Sequence, residues 1–154
     1  MEQENLHYRQ YTSPLGDLYL IFKDQFLTGL EFKKPHLKTD SIPDEFEKEL
    51  NAFFNGELKE FSQSIKLLSG TEFEQKVWLA LRKIPYGETR SYKWLAETVG
   101  SPKGNRAVGR ALSKNPVPIV LPCHRIIEST GKLGGYTPGL DIKRRLLSLE
   151  YYCK

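Results

Sequence analysis

Two adjacent side chains in this 154-residue sequence could run a covalent reaction: Cys123 and His124. They lie inside the longest apolar run, Val117-Pro118-Ile119-Val120-Leu121-Pro122-Cys123-His124-Arg125-Ile126-Ile127. A thiolate is a strong nucleophile, and a neighbouring imidazole can take the thiol proton. The same position also suits an inert cysteine that fills a core. Proximity of Cys and His does not choose between these readings. The neighbours bear on the choice. A histidine and a permanently charged arginine enter a core strand only when paired. Pro118 and Pro122 remove two backbone donors, which excludes a regular central strand. The run is therefore expected to be a rigid loop that presents a thiol in a partly desolvated pocket. Adjacent side chains of extended backbone point to opposite faces, so proton transfer from Cys123 to His124 needs a local turn or a bridging water.

The bulk of the chain sets the context for that loop. With 39% hydrophobic and 27% charged residues, the composition is that of a soluble globular protein. No stretch approaches the roughly 18 uninterrupted apolar residues of a membrane span. Met1-Glu2-Gln3-Glu4-Asn5 is polar and acidic, so no secretory signal is expected. Cys123 and Cys153 are the only cysteines, and a reduced pair in a cytoplasmic protein is expected rather than a disulfide. Two Cys and three scattered His give no metal-ligand spacing, so no metal is expected. Charge is unevenly divided. Residues 1–69 hold 8 Lys/Arg against 12 Asp/Glu, and residues 70–154 hold 15 against 7. A basic half beside an acidic half points to a polyanion partner for the half with Cys123. Two domains are expected, 1–69 and 70–154.

The elements that must position the loop follow from pattern. Residues 6–33 read as a small antiparallel sheet, with turns at Pro14-Leu15-Gly16-Asp17 and Lys23-Asp24-Gln25. In its third strand, Leu30 and Phe32 are expected on one face, Gly29 and Glu31 on the other. Residues 34–43 read as a loop, and a helix is expected from Pro43-Asp44 through Phe54, ended by Asn55-Gly56. Thr71 is a natural N-cap for a helix carrying the stripe Phe73, Val77, Trp78, Leu81, Ile84. Pro85-Tyr86-Gly87 stops it. A second short helix, Tyr92 to Val99, is capped by Ser91 and separated by Gly100-Ser101-Pro102 from a third, Arg106 to Lys114. That is a helix-turn-helix pattern, though any αα-hairpin shares it. Ala107, Gly109 and Ala111 leave the third helix nearly bare, which suits close approach to a narrow groove. Glu128 to Gly139 is a glycine-rich loop. Asp141 to Tyr151 reads as a basic helix with Ile142, Leu146, Leu147 and Leu149 turned inward. The fold class is α+β: a small N-terminal antiparallel sheet plus helix, then a winged-helix-like helix-turn-helix domain.

Asn115-Pro116-Val117-Pro118 followed by Leu121-Pro122-Cys123-His124-Arg125-Ile126 resembles the active-site segment of the O6-alkylguanine-DNA alkyltransferases. The likeness extends through Arg106-Ala107-Val108-Gly109 upstream and Gly135-Tyr136-Thr137 to Leu149-Glu150 downstream, so it covers roughly residues 70 to 150. It implies DNA repair by direct damage reversal, one alkyl group passing irreversibly from O6 of guanine to Cys123, with no cofactor. His124 would be the base and Glu150 a buried carboxylate that orients it. Asn115 would hold the turn between recognition helix and active-site loop. Tyr92 and Arg106 would turn the nucleotide out and fill its space. Ala107, Gly109 and Arg110 would lie against a minor groove. The backbone of Tyr136-Thr137 would face O6, and the carbonyls of Cys123 and Ile126 would accept from the exocyclic amine. The implied partner is double-stranded DNA carrying O6-alkylguanine, read with little sequence preference by a monomer in the cytoplasm, or the nucleus of a eukaryote. Pro138 beside Thr137 departs from the glycine common in relatives and narrows the implied pocket. Two rivals differ in class. A catalytically dead alkyltransferase-like protein carries another residue at the cysteine, which Cys123 contradicts. A winged-helix regulator would not need the Pro-Cys-His-Arg segment, Asn115 and Glu150 together.

Overall fold

The computed structural model describes residues 5–39 and 44–154. The chain divides into two compact units, Met1–Leu68 and Ser69–Lys154. In the first, β1 (Leu6–Ser13), β2 (Gly16–Lys23) and β3 (Phe26–Glu31) form an antiparallel meander. The β1–β2 turn is tight because Gly16 takes φ +107°, which carries no Cβ penalty, and Ser13 Oγ donates to the Gly16 carbonyl. β3 departs from the expected alternation. Leu27, Thr28, Gly29 and Leu30 are all buried, only Glu31 is exposed, and Phe32 lies beyond the strand. A bulge at Ile21/Phe22 and a bond from Thr28 Oγ1 to the Ile21 carbonyl let Thr28 sit inside with its hydroxyl satisfied.

The expected loop 34–43 holds a short strand as well. β4 (Lys38–Thr39) pairs in parallel with β1, giving the order β3-β2-β1-β4. Two residues with exposed side chains carry no periodic signal, so only the pairing reveals them. The helix start expected at Pro43 falls outside the described residues. From Asp44 the helix α1 runs to Phe54 and buries Phe46, Leu50 and Phe53 completely, an i, i+4, i+7 stripe. Gly56 at φ +76° closes it.

The second unit is helical. α2 (Glu72–Ala80) opens on a full capping box, Thr71 Oγ1 accepting from the Glu74 N–H while the Glu74 carboxylate accepts from the Thr71 N–H. It tightens into a 3₁₀ turn, Leu81–Lys83, ahead of Pro85. α3 (Tyr92–Thr98) is capped by Ser91, and Gly100 at φ +80° turns the chain toward α4 (Asn105–Ser113). α4 buries Val108 and Ala111. Ala111, expected among the bare surface residues, instead packs inward, its carbonyl accepting from Trp78 Nε1 at 2.7 Å. β5 (Arg90–Ser91) and β6 (Ile126–Ile127) form a two-stranded parallel sheet. On α5 (Leu140–Cys153) the buried residues are Lys143, Leu146 and Glu150, at i, i+3, i+7. Ile142, Leu147 and Leu149, expected inside, are half-buried. Two polar side chains displace them because each finds partners in the interior.

Candidate active site

Residues 117 to 126 are buried without a break, yet they form no ladder until Ile126, where the expected loop gives way to β6. Asn115 braces the run from both sides: its Nδ2 donates to the Leu121 carbonyl at 2.8 Å and its Oδ1 accepts from the Val117 N–H at 3.0 Å. The Leu121 N–H closes a turn on the Val117 carbonyl, and that turn drives Ile119 to φ +78°. A β-branched residue there is strained by about 1–3 kcal/mol. The brace holds it. A 3₁₀ turn, Cys123–Arg125, then supplies the local break that separates Cys123 and His124 from extended geometry.

His124 is fully buried, and its Nε2 lies 2.6 Å from Glu150 Oε2. The carboxylate also takes a forked bond from Arg125, Nε to Oε1 at 2.8 Å and Nη2 to Oε2 at 3.0 Å. The Gly87 N–H adds a longer bond of 3.3 Å, and Arg125 Nη1 donates to the Ile84 carbonyl at 2.9 Å. Burial alone would raise the Glu150 carboxyl, but the bonds and charges of His124 and Arg125 outweigh it and hold it at about 2. An ionised carboxylate at Nε2 places the imidazole proton there, leaving Nδ1 as an acceptor. That Nδ1 is buried and has no partner among the described residues.

The thiol is not ionised at rest. Burial pushes Cys123 up to about 11, against the pull of Asn115, the Lys143 charge and its own N–H. Burial likewise holds His124 below its ordinary value despite Glu150. The resting pair is thus a neutral thiol beside a neutral imidazole, and the proton must move during the reaction. Among the described residues no three His, Cys, Asp or Glu side chains converge on a metal position. Both cysteines are free, Cys123 buried and Cys153 half-buried.

The glycine-rich segment 128–139 is tied to the residues that follow the cysteine. Lys143, fully buried on α5, donates to the carbonyls of Ile126, Leu133 and Gly135, at 2.7, 2.5 and 3.0 Å. It ties this segment to the strand after the cysteine. Burial brings its ammonium down to about 8. Nothing local marked this lysine, which reads as a solvated cation beside Arg144 and Arg145; the available signal was its seven-residue spacing from Glu150. The Ile126 carbonyl, expected to await an exocyclic amine, already accepts from Lys143 and keeps one lone pair. Tyr136 follows Gly135 directly, and Thr137 Oγ1 donates to the Ser113 carbonyl at the end of α4.

Tyr92, at the start of α3, stands between α4 and this segment. A Cβ at Gly134 would lie 2.6 Å from its Oη, and one at Gly109 would lie 4.0 Å from its ring. Burial raises its phenol, a Gly135 backbone bond opposing. Arg106 and Arg110 project from the exposed face of α4, with Ala107 and Gly109 half-buried between them. Asn115, Cys123, His124, Glu150 and Tyr92 are therefore gathered around one interior, while Arg106 and Arg110 stand outside it on the helix surface.

A helix-turn-helix unit that encloses a cysteine and a carboxylate-anchored histidine defines a class of protein in which a nucleophile is built behind a DNA-reading helix. Comparison with known proteins is consistent with that class and narrower. The model of the 6-O-methylguanine DNA methyltransferase DNA-binding domain matches residues 72–152, and that of the same family's ribonuclease-like domain matches residues 6–67. The methylated-DNA–protein-cysteine methyltransferase of Methanosarcina acetivorans is 44% identical, over 96% of this chain and all of its own length. That of Mycobacterium bovis is 46% identical, over 94% of this chain and 92% of its own. Among solved structures, the Mycobacterium tuberculosis O6-methylguanine methyltransferase superposes with a TM-score of 0.90 at 44% identity, covering 97% of this chain and 94% of that one. The Mycobacterium tuberculosis protein in complex with DNA also gives 0.90, at 45% identity over 96% and 94%. The chain belongs to the 6-O-methylguanine DNA methyltransferase family.

Proposed function

We propose that this protein repairs O6-alkylguanine in double-stranded DNA by moving the alkyl group to Cys123. One observation carries the reading: a buried thiol beside a histidine whose far nitrogen is locked to Glu150 at 2.6 Å, behind an exposed basic helix. Cys123 Sγ attacks the alkyl carbon, the S–C bond forms and the C–O6 bond breaks, its electron pair passing to the purine. The thiol proton goes to Nδ1 of His124, and Glu150 stabilises the imidazolium as a triad carboxylate does. Tyr92 gives its hydroxyl proton to ring N3 of the departing guanine, so the base leaves without net charge. The proton taken up by His124 balances the tyrosinate until solvent exchange restores both groups.

A carbon inside a stacked duplex is out of reach, so the nucleotide must rotate out. Arg106, exposed on α4, fills the gap it leaves. The small residues of α4 let backbone approach a minor groove, where sequence information is poor. Binding is accordingly almost independent of sequence, and a monomer suffices. The thioether has no leaving group, so each molecule acts once. Intact and peptide mass spectrometry after mixing with O6-methylguanine duplex tests this. One methyl group on the Cys123 peptide is expected; methyl on Cys153, or several turnovers per molecule, overturns it.

A further inference from the structure

Among the described residues, the hydroxyl oxygen of Tyr136 is, like the histidine nitrogen, buried without a hydrogen-bond partner. An unmatched buried hydroxyl is costly, about 1–3 kcal/mol, and such groups cluster where a transient charge must be met. The chain path ties its backbone to the segment that follows the nucleophile. Tyr136 directly follows Gly135, whose carbonyl shares the Lys143 ammonium with that of Ile126, three residues after Cys123. The thiol of Cys123 and the carboxylate of Glu150 both act on the phenol electrostatically, after burial itself, and all three hold it protonated. The other titratable or charged groups around the sulfur are His124, Arg125, Lys143, Glu150 and Tyr92.

We propose that Tyr136 is a positioning residue for the nucleophile, its hydroxyl donating to the Cys123 sulfur, directly or across one water, as that sulfur gives its proton to His124. The proposal rests on the alkyl-transfer reading and deepens it. The two unmatched atoms are complementary. Nδ1 is an acceptor and takes the thiol proton; the phenol is a donor and meets the sulfur anion left behind. Tyr136 keeps its own proton throughout. Both bonds are absent in the neutral resting pair and present when the sulfur is charged, so they lower the barrier rather than merely stabilise the ground state.

Tyr136→Phe removes the hydroxyl and keeps the ring. A hydrogen bond to a charged group corresponds to about tenfold to a hundredfold in rate. Alkylation of Cys123 by free O6-benzylguanine, followed from pH 6 to 10, should slow by that factor near neutrality. The rising limb of the pH profile should move to higher pH. DNA affinity, measured on a Cys123→Ser background, should be unchanged. A structural role alone would lower the rate equally at all pH values, and that result, or a profile matching the parent, overturns the proposal. If Tyr136→Phe fails to fold, 3-fluorotyrosine at this position is the second arm: a more acidic donor should move the limb to lower pH, and an unmoved limb overturns the proposal. Failure of the parent protein to alkylate Cys123 would instead refute the repair reading itself.

Discussion

Glu150 is the most exacting position in the second unit. It is 1% exposed and accepts from His124, both sides of Arg125 and the Gly87 amide. Glu150→Gln keeps the shape but replaces one oxygen with an amide nitrogen. That nitrogen faces donors on either side, so at least two charge-assisted bonds are lost, about 1.5–3 kcal/mol each. Arg125, 7% exposed, is left as a buried cation without its counter-charge. Breaking a buried pair in this way costs about 3–5 kcal/mol, which agrees with the bond count. Set against a total stability of about 5–15 kcal/mol, the variant should be severely but measurably weakened. Both tryptophans, Trp78 and Trp94, lie in the second unit, so urea titration followed by tryptophan fluorescence reads that unit alone. The midpoint should drop with little change in slope. An apolar double variant, Arg125→Met with Glu150→Leu, should lose less than Glu150→Gln, because no charge is stranded. A loss under about 1 kcal/mol for Glu150→Gln would refute the reasoning.

Acid should destabilise the protein in two overlapping stages. The folded His124 is held below its ordinary value of 6.5, so the unfolded chain binds more protons as pH falls below that point. Glu150, held at about 2 instead of 4.5, contributes stability that is present above pH 4.5 and lost toward pH 2. Denaturation midpoints from pH 7 to pH 3 check both, and a flat profile would contradict them. Gly134→Ala puts a Cβ 2.6 Å from Tyr92 Oη at φ +72°, and should slow transfer by displacing that hydroxyl. Adding Tyr92→Phe should then cost less than it does alone, which a double-mutant cycle of repair rates measures. Arg106→Ala should slow repair of duplex DNA far more than reaction with the free base, since the proposed rotation of the nucleotide concerns the duplex alone. Equal losses on the two substrates would remove Arg106 from that role.

Local rules carried much of the fold because they act within a few residues. The Thr71–Glu74 capping box, the stop at Pro85 and the turn at Gly100 are each set by neighbours in sequence. The prolines around Cys123 were equally legible as a loop that cannot be a strand. What lay hidden depends on distant partners. Lys143 is buried because carbonyls from positions 126, 133 and 135 converge on it, and no helical pattern records that. Ala111 turns inward because Trp78, far back in the chain, needs an acceptor. The left-handed Ile119 opposes its own side-chain preference and is held by Asn115 bonds to its flanks.

The neutral resting state of Cys123 also bears on chemistry the protein must avoid. A cell holds oxidants that attack exposed thiolates. A sulfur used only once has no second chance if one of them arrives first. With its thiol held at about 11 and 7% exposed, Cys123 presents almost no thiolate to such reagents at neutral pH. In the transfer proposed above, reactivity is conferred only when the alkylated base arrives and the proton has somewhere to go. The burial that makes the nucleophile look poor thus acts as a safety catch, giving the protein a long waiting life between synthesis and the single lesion it meets.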